Sequence, residues 1–315
     1  DTLERLKDIG VKGLGHLNVE NGWSDTDLKE FREGFAARGF FIGELTMYQY
    51  GGVLASEDKG VQDSAVESLA RGFEQALILN AHCVGVSTIF DGPQGGINPW
   101  SDEVWEHLVE GTGKAAVEAE RIGVDLAFHP GNRGPLDTPD QQRRLIDEVG
   151  SARVKAILDP VNMTDHRNYH SNADFLNYCF DLLGNDIVAA HAKDIYLDDS
   201  HWVTKLDEVP LGKGNIHYET YVRRLDELDD DLVFSIEHYR DVGVCGTVAS
   251  PVYVDYPQTD GENTRARQYI HEVVQEVGLE ILIFLVLFQI YLKIFSEKVS
   301  AEEDVLEDPI IEDQI

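Results

Sequence analysis

Four short apolar runs in this chain end in a residue able to bind a metal ion or carry a proton. DLAFHPG reaches His129, VKAILDPVN reaches Asp159, IVAAHAKD reaches His191, and LVFSIEHY reaches Glu237. Two imidazoles and two carboxylates make a donor set suited to one divalent ion, Mn²⁺, Co²⁺, Zn²⁺ or Fe²⁺, whose charge the two carboxylates balance. Alone, each residue reads as a cap or a solvated loop residue; four at matching places read as a shared site. Lys193 stands two residues past His191, so on an extended strand it shares that face. Two roles are open to it: holding a substrate hydroxyl, carboxylate or phosphate, or pairing with a neighbouring carboxylate.

Residues this far apart meet only if a sheet gathers the strand ends. Seven runs read as strands, at 11–17, 40–46, 83–88, 125–130, 154–160, 187–190 and 232–239, and amphipathic helical patterns separate them. Ser24 with Asp27, Ser101, and Thr138 before Pro139 mark helix starts. The last helix of the pattern carries Tyr269, Ile270, Val273, Val274 and Val277 and stops at Gly278. Strand and helix alternating in this way predict an α/β fold with a parallel sheet, one strand short of a closed (β/α)8 TIM barrel, over residues 1–278. The vacant strand should precede the opening helix with Leu3, Leu6 and Ile9. In such a barrel, functional groups sit at the C-terminal strand ends, where all four candidates fall.

Residues 279–315 form an extension, apolar over 281–295 and acidic at its end. Gln289 and Lys293 interrupt the apolar part, whereas a membrane span takes roughly 20 apolar residues. The strand count offers another reading, in which 281–288 fills the vacant strand position as in a circular permutation. An oligomer contact, a membrane-associated helix or a non-native extension are the alternatives.

With 58 acidic and 26 basic residues the net charge is -32, which argues against a nucleic-acid partner. Such a surface serves solubility, or adaptation to high salt, where a Debye length of roughly 3 Å at 1 M screens self-repulsion. Cys83, Cys179 and Cys245 are odd in number and widely spaced, so they form neither a disulfide framework nor a zinc-finger pattern, and a reducing cytoplasm is expected.

Further candidates surround the four. Asn162, Arg133, Tyr48, Trp100 and Trp202 are expected to contact substrate, the aromatics as an apolar wall for a sugar ring. His16 and Glu44 lie on early strands and are expected to line the pocket without being assigned as ligands. His238 should face away from Glu237. The Gly- and Pro-rich stretch 91–100 reads as a long loop over a strand end. PLGKGN, at 210–215, lacks the spacing of a phosphate-binding loop and reads as a loop gating the pocket.

ILDPVN (157–162), AHAKD (190–194), PLGKGN and SIEHY (235–239), in this order, resemble the xylose-isomerase-like barrels, which include sugar isomerases, sugar epimerases, inosose dehydratases and endonucleases. The resemblance implies that Asp159, His191 and Glu237 are metal ligands and that Glu237 also handles a proton. It departs at His129, where the family usually has Glu, and at Asn162, where many members have His. Paired glutamates remove and return the proton in the epimerases, so His129 becomes either a ligand or the second acid/base beside Glu237 and Lys193.

The chemistry implied is proton abstraction from a small sugar, polyol or hydroxy-ketone through a metal-stabilised enediolate, an isomerase or epimerase reaction. A metal-dependent dehydratase, which His129 favours, and a non-catalytic binding barrel are the alternatives. A homo-oligomer is compatible with all three.

Overall fold

The computed structural model describes residues 6–7, 10–19, 23–88, 98–228, 232–237 and 248–249. Seven parallel strands follow the predicted runs: β1 Gly13–Leu17, β2 Phe41–Thr46, β3 Cys83–Ser87, β4 Asp125–His129, β5 Val154–Leu158, β6 Ile187–Ala192 and β9 Val233–Ile236. They pair in the order β1-β2-β3-β4-β5-β6-β9, a nearly closed barrel. Beyond β9 the short β10, Val248–Ala249, pairs antiparallel with Ser235 and Ile236 and lies beside β1. The segment 281–288, the helix at 269–278, the acidic tail, His238, Cys245, Leu3, Ile9 and most of the 91–100 loop fall outside the described residues. Among the described residues no helix is long and apolar enough to cross a membrane.

The helices are α1 Asp25–Ala36, α2 Gln49–Leu54, α3 Lys59–Leu79, α4 Asp102–Ile122, α5 Pro139–Val149, α6 Asn172–Leu183 and α7 Tyr218–Asp226. Ser24 caps α1 by accepting from the Asp27 amide, and Asp27 accepts from the Ser24 amide in return, a capping box. Ser101 and Thr138 cap α4 and α5 as their sequence positions predict. The short α2, directly after β2, has no clear periodicity in the sequence; it carries Tyr48 at its N-terminal edge.

Period two along each strand explains what lines the barrel. Cys83, Ala127, Ile157, Ala189 and Val233 form one buried layer inside it. Two residues further along, the same face presents His129, Asp159, His191 and Ser235, and Glu237 comes two later again. The intervening residues, among them Leu126, Phe128, Leu158 and Ala190, pack outward in the larger core shared with the helices.

Two helices brace the strands that bear these groups. Gln142 of α5, fully buried, donates from Nε2 to the Phe128 carbonyl at 2.9 Å and to the Ile157 carbonyl at 3.2 Å. The Tyr221 hydroxyl of α7 is shared between the Leu158 carbonyl at 2.9 Å and the His191 carbonyl at 3.0 Å. Each bridge spans two strands next to a candidate ligand.

After β6 the chain turns into a hairpin, β7 Asp194–Asp198 and β8 Lys205–Val209, where the sequence reads only as loop. β8, KLDEV, is polar and largely half-exposed, and the apolar run in β7 is only three residues long, Ile195 to Leu197. The PLGKGN segment follows, and the structure anchors it through Asp194. Asp194 Oδ2 accepts from the Gly212 and Gly214 amides at 3.0 and 2.8 Å, and Oδ1 from the Ile216 and Ile195 amides at 3.1 and 3.0 Å. A Cβ at Gly214 would collide with the Asp194 carboxylate, which accounts for glycine there. Asp194→Ala strands these buried donors, so we expect a loss of about 3 kcal/mol in urea unfolding, with Asp194→Asn losing less. A change below about 0.5 kcal/mol would show that the loop is held by other contacts.

A candidate metal centre at the barrel mouth

His129 ends β4, Asp159 follows β5, His191 lies near the end of β6, and Glu237 follows β9; all four are buried. One ligand atom from each lies within 4.8 Å of the others. Two carboxylate oxygens form the middle of the group. Asp159 Oδ2 is 3.0 Å from His129 Nε2 and 3.7 Å from His191 Nδ1. Glu237 Oε2 is 2.8 Å from His191 Nδ1 and 3.5 Å from His129 Nε2.

The fit of this group to a cation rests on its donor set and its convergence: His129 Nε2, His191 Nδ1, Asp159 Oδ2 and Glu237 Oε2 are buried together at one point. Two nitrogens and two oxygens around one point, with both carboxylates ionised, satisfy a divalent ion of the borderline class.

Lys193 is buried beside the same oxygens, with Nζ 2.9 Å from Asp159 Oδ2 and 2.9 Å from Glu237 Oε2. Burial alone would lower its pKa, but the Asp159 and Glu237 charges outweigh that and hold the ammonium well above the ordinary lysine range. Burial would likewise raise the two carboxyls; the Lys193 charge holds both far below the usual carboxylate range. Of the two roles open to Lys193 in the sequence, the described contacts are with the carboxylates. Asn162 joins them: its Oδ1 accepts from Lys193 Nζ at 3.1 Å, its amide donates to Asp159 Oδ1 at 3.1 Å, and its Nδ2 donates to the Pro130 carbonyl at 3.0 Å.

A second layer stands behind His191. Glu44 of β2 is fully buried, and its Oε1 lies 2.9 Å from His191 Nε2. His16 of β1 is the register partner of Glu44 and brings its Nε2 to 3.0 Å from His191 Nε2. Burial would raise the Glu44 carboxyl, but His191 and His16 keep it below its ordinary value. His191 itself, which burial would lower, is held well above the ordinary histidine value by Glu44 and Glu237, and a cation bound at Nδ1 would replace the proton held there. Burial pushes His16 down to about 4, so it is neutral at neutral pH. Glu44 and Lys193 cancel in charge, so the balance of two carboxylates against one divalent ion persists. The signal for Glu44 is a lone acid in the otherwise apolar strand FIGELT; its partnership with His191 appears only when the barrel closes.

Tyr48 is also brought to the site. Its ring stacks on His129 with centroids 5.0 Å apart and planes 13° apart, and its hydroxyl is 3.4 Å from His16 Nε2. The other three residues expected at the substrate are not brought together with the cluster. Trp202 stands fully exposed at the tip of the β7–β8 hairpin, which carries it outward. Trp100 is half-exposed, with Nε1 donating to Asp137 Oδ2 at 3.0 Å, a bond that ties it to the loop before α5. Arg133 is exposed on the turn after β4.

The family pattern described as xylose isomerase-like TIM barrel matches residues 3–269. No sequence among the curated proteins matches the chain. Among solved structures, D-psicose 3-epimerase with D-tagatose from Clostridium cellulolyticum H10 is 18% identical, with 89% of this chain and 92% of that chain covered and a TM-score of 0.61. A xylose isomerase-like TIM barrel protein from Mycobacterium smegmatis in complex with magnesium is 17% identical, covering 87% of each chain with a TM-score of 0.58. The IolI protein with a zinc atom is 18% identical, covering 89% of this chain and 92% of that chain, with a TM-score of 0.57. At such identities these likenesses bear on the fold.

Proposed function

The chain belongs to the xylose isomerase-like TIM barrel family, and from that premise we propose that it is a divalent-metal-dependent isomerase or epimerase of a small sugar, polyol or hydroxy-ketone. The observation that carries this reading is the convergence of His129, Asp159, His191 and Glu237 on one buried point. The sugar bound to the psicose epimerase and the metals in the two other relatives support it.

His129, Asp159, His191 and Glu237 would hold the ion. Once bound, it supplies a Lewis acid that stabilises negative charge on neighbouring substrate oxygens. The protein's own groups do the rest. Glu237, ionised because Lys193 lies beside it, is the base that takes a carbon-bound proton. Lys193 and Asn162 hold Asp159 in place and ionised. Tyr48 fixes the plane of His129, which serves as ligand or as the second acid/base.

One observation favours a second reading, a dehydratase. At the end of β4 stands His129 in place of a second glutamate, and elimination of a β-hydroxyl needs one base and one acid instead of two matched bases. Incubation with candidate ketoses and Mn²⁺ in deuterated water separates the two. Deuterium at the carbon next to the carbonyl without loss of water is the expected result. Water loss selects the dehydratase, and no exchange with any divalent ion rejects both.

A further inference from the structure

Glu44 has no part in the reaction just described, yet it is fully buried against one of the proposed ligands. His191 offers two ring edges. Its Nε2 faces Glu44 Oε1 at 2.9 Å and His16 Nε2 at 3.0 Å, whereas its Nδ1 faces Glu237 Oε2 at 2.8 Å and Asp159 Oδ2 at 3.7 Å. An ionised carboxylate only accepts, so the hydrogen between Glu44 and His191 belongs to Nε2. An imidazole that keeps its Nε2 hydrogen can bind a cation through Nδ1 alone, and Nδ1 is the nitrogen aimed at Asp159 and Glu237.

We propose that Glu44 is a positioning residue: from across the barrel it holds His191 with hydrogen on Nε2 and turns the Nδ1 lone pair toward Asp159 and Glu237. The inference rests on the metal-centre reading above. β2 and β6 are four strands apart in the sheet order, so the bond crosses the barrel interior and fixes the ring from the side opposite the carboxylates. Space for it is built in. A Cβ on Gly85 of β3 would lie 3.1 Å from Glu44 Oε2, closer than real side-chain carbons ordinarily pack. The other Glu44 oxygen is occupied as well, 3.5 Å from the Tyr48 hydroxyl and 3.7 Å from His16 Nε2, which leaves Oε1 directed at His191. A carboxylate behind a ligating histidine sets its tautomer and orientation, and its loss typically weakens metal binding 10- to 100-fold.

His16, Glu44 and His191 are also close enough to surround an ion of their own. That arrangement would strip hydrogen from Nε2 and ask one imidazole to serve two ions, and the number of ions bound distinguishes it.

Binding of Mn²⁺ to the metal-free full chain, followed by the electron-spin-resonance signal of free Mn²⁺, tests the proposal together with the visible spectrum of the Co²⁺ form. The wild type should take up one ion per chain. Glu44→Gln, whose amide oxygen still accepts from Nε2, should bind within about threefold of it, the scale of exchanging one acceptor. Glu44→Leu, similar in volume but without an acceptor, should bind about 10- to 100-fold more weakly and alter the Co²⁺ bands, with circular dichroism showing both variants folded. Equal binding by Glu44→Leu and wild type overturns the proposal and spares the metal centre. Equal weakening in both variants also overturns it, because charge and not orientation would then be the cause. Two ions per chain, one of them lost in Glu44→Leu, would make Glu44 a ligand and overturn it too. No uptake by the wild type removes the metal-centre reading, and this inference with it.

Discussion

Glu237→Gln should lower deuterium incorporation into a turned-over ketose by about 10²- to 10⁴-fold, the contribution of a positioned general base. The substitution keeps the shape of the side chain and the hydrogen bond from the residue 237 amide to the Ala192 carbonyl, 3.1 Å long. What it removes is an ionised oxygen that Lys193 and His191 hold far below the usual carboxylate range. An amide has no basic lone pair for a carbon-bound proton, so the rate falls even where substrate still binds. Exchange measured by NMR, beside circular dichroism of the variant, checks this. A rate within about tenfold of wild type would assign the base to another group, His129 first.

The largest effect on stability should come from Asp159. Its carboxylate is completely buried and takes Lys193 Nζ at 2.9 Å, His129 Nε2 at 3.0 Å and the Asn162 amide at 3.1 Å. Asp159→Asn leaves the Lys193 ammonium buried with half its counter-charge gone, and breaking a buried pair from one side costs about 3–5 kcal/mol. Urea unfolding at neutral pH reads this directly. Because the folded-state pKa of Asp159 is depressed, its contribution is complete above the unfolded value of about 4 and is lost as pH falls below that. The gap between wild type and Asp159→Asn should therefore be widest at neutral pH and shrink below about pH 4. Asp159→Asn combined with Lys193→Met removes both partners and should recover part of the loss. A double variant as unstable as the sum of the single changes would show that the two side chains do not depend on each other.

Several features were legible along the chain because they are written in short-range periodicity. A buried parallel strand needs a continuous apolar run, and a helix needs a stripe at three-to-four spacing, so seven strands could be read, most of them within a residue or two of their ends, together with the helices between them apart from the short α2. The capping residues Ser24, Ser101 and Thr138 act within one turn and were equally readable. The β7–β8 hairpin was not, since β8 is polar and the apolar run in β7 is only three residues long.

The strand-end groups belong partly to each kind of information. That IVAAHAKD is a strand ending in His191 and Lys193 follows from residue types alone, and so does the placement of His129, Asp159 and Glu237 at comparable points. The sequence also determined the barrel class, because alternating periods admit few other topologies. Only the tertiary structure decided which groups meet. Glu44 and His191 lie 147 positions apart and touch solely because closing the barrel brings β2 opposite β6. It also directed Lys193 to Asp159 and Glu237, and sent Trp202 into solvent on a hairpin tip. Local patterns record which face each side chain occupies; distances across the barrel are set by strand order and register, which no stretch of the chain contains by itself.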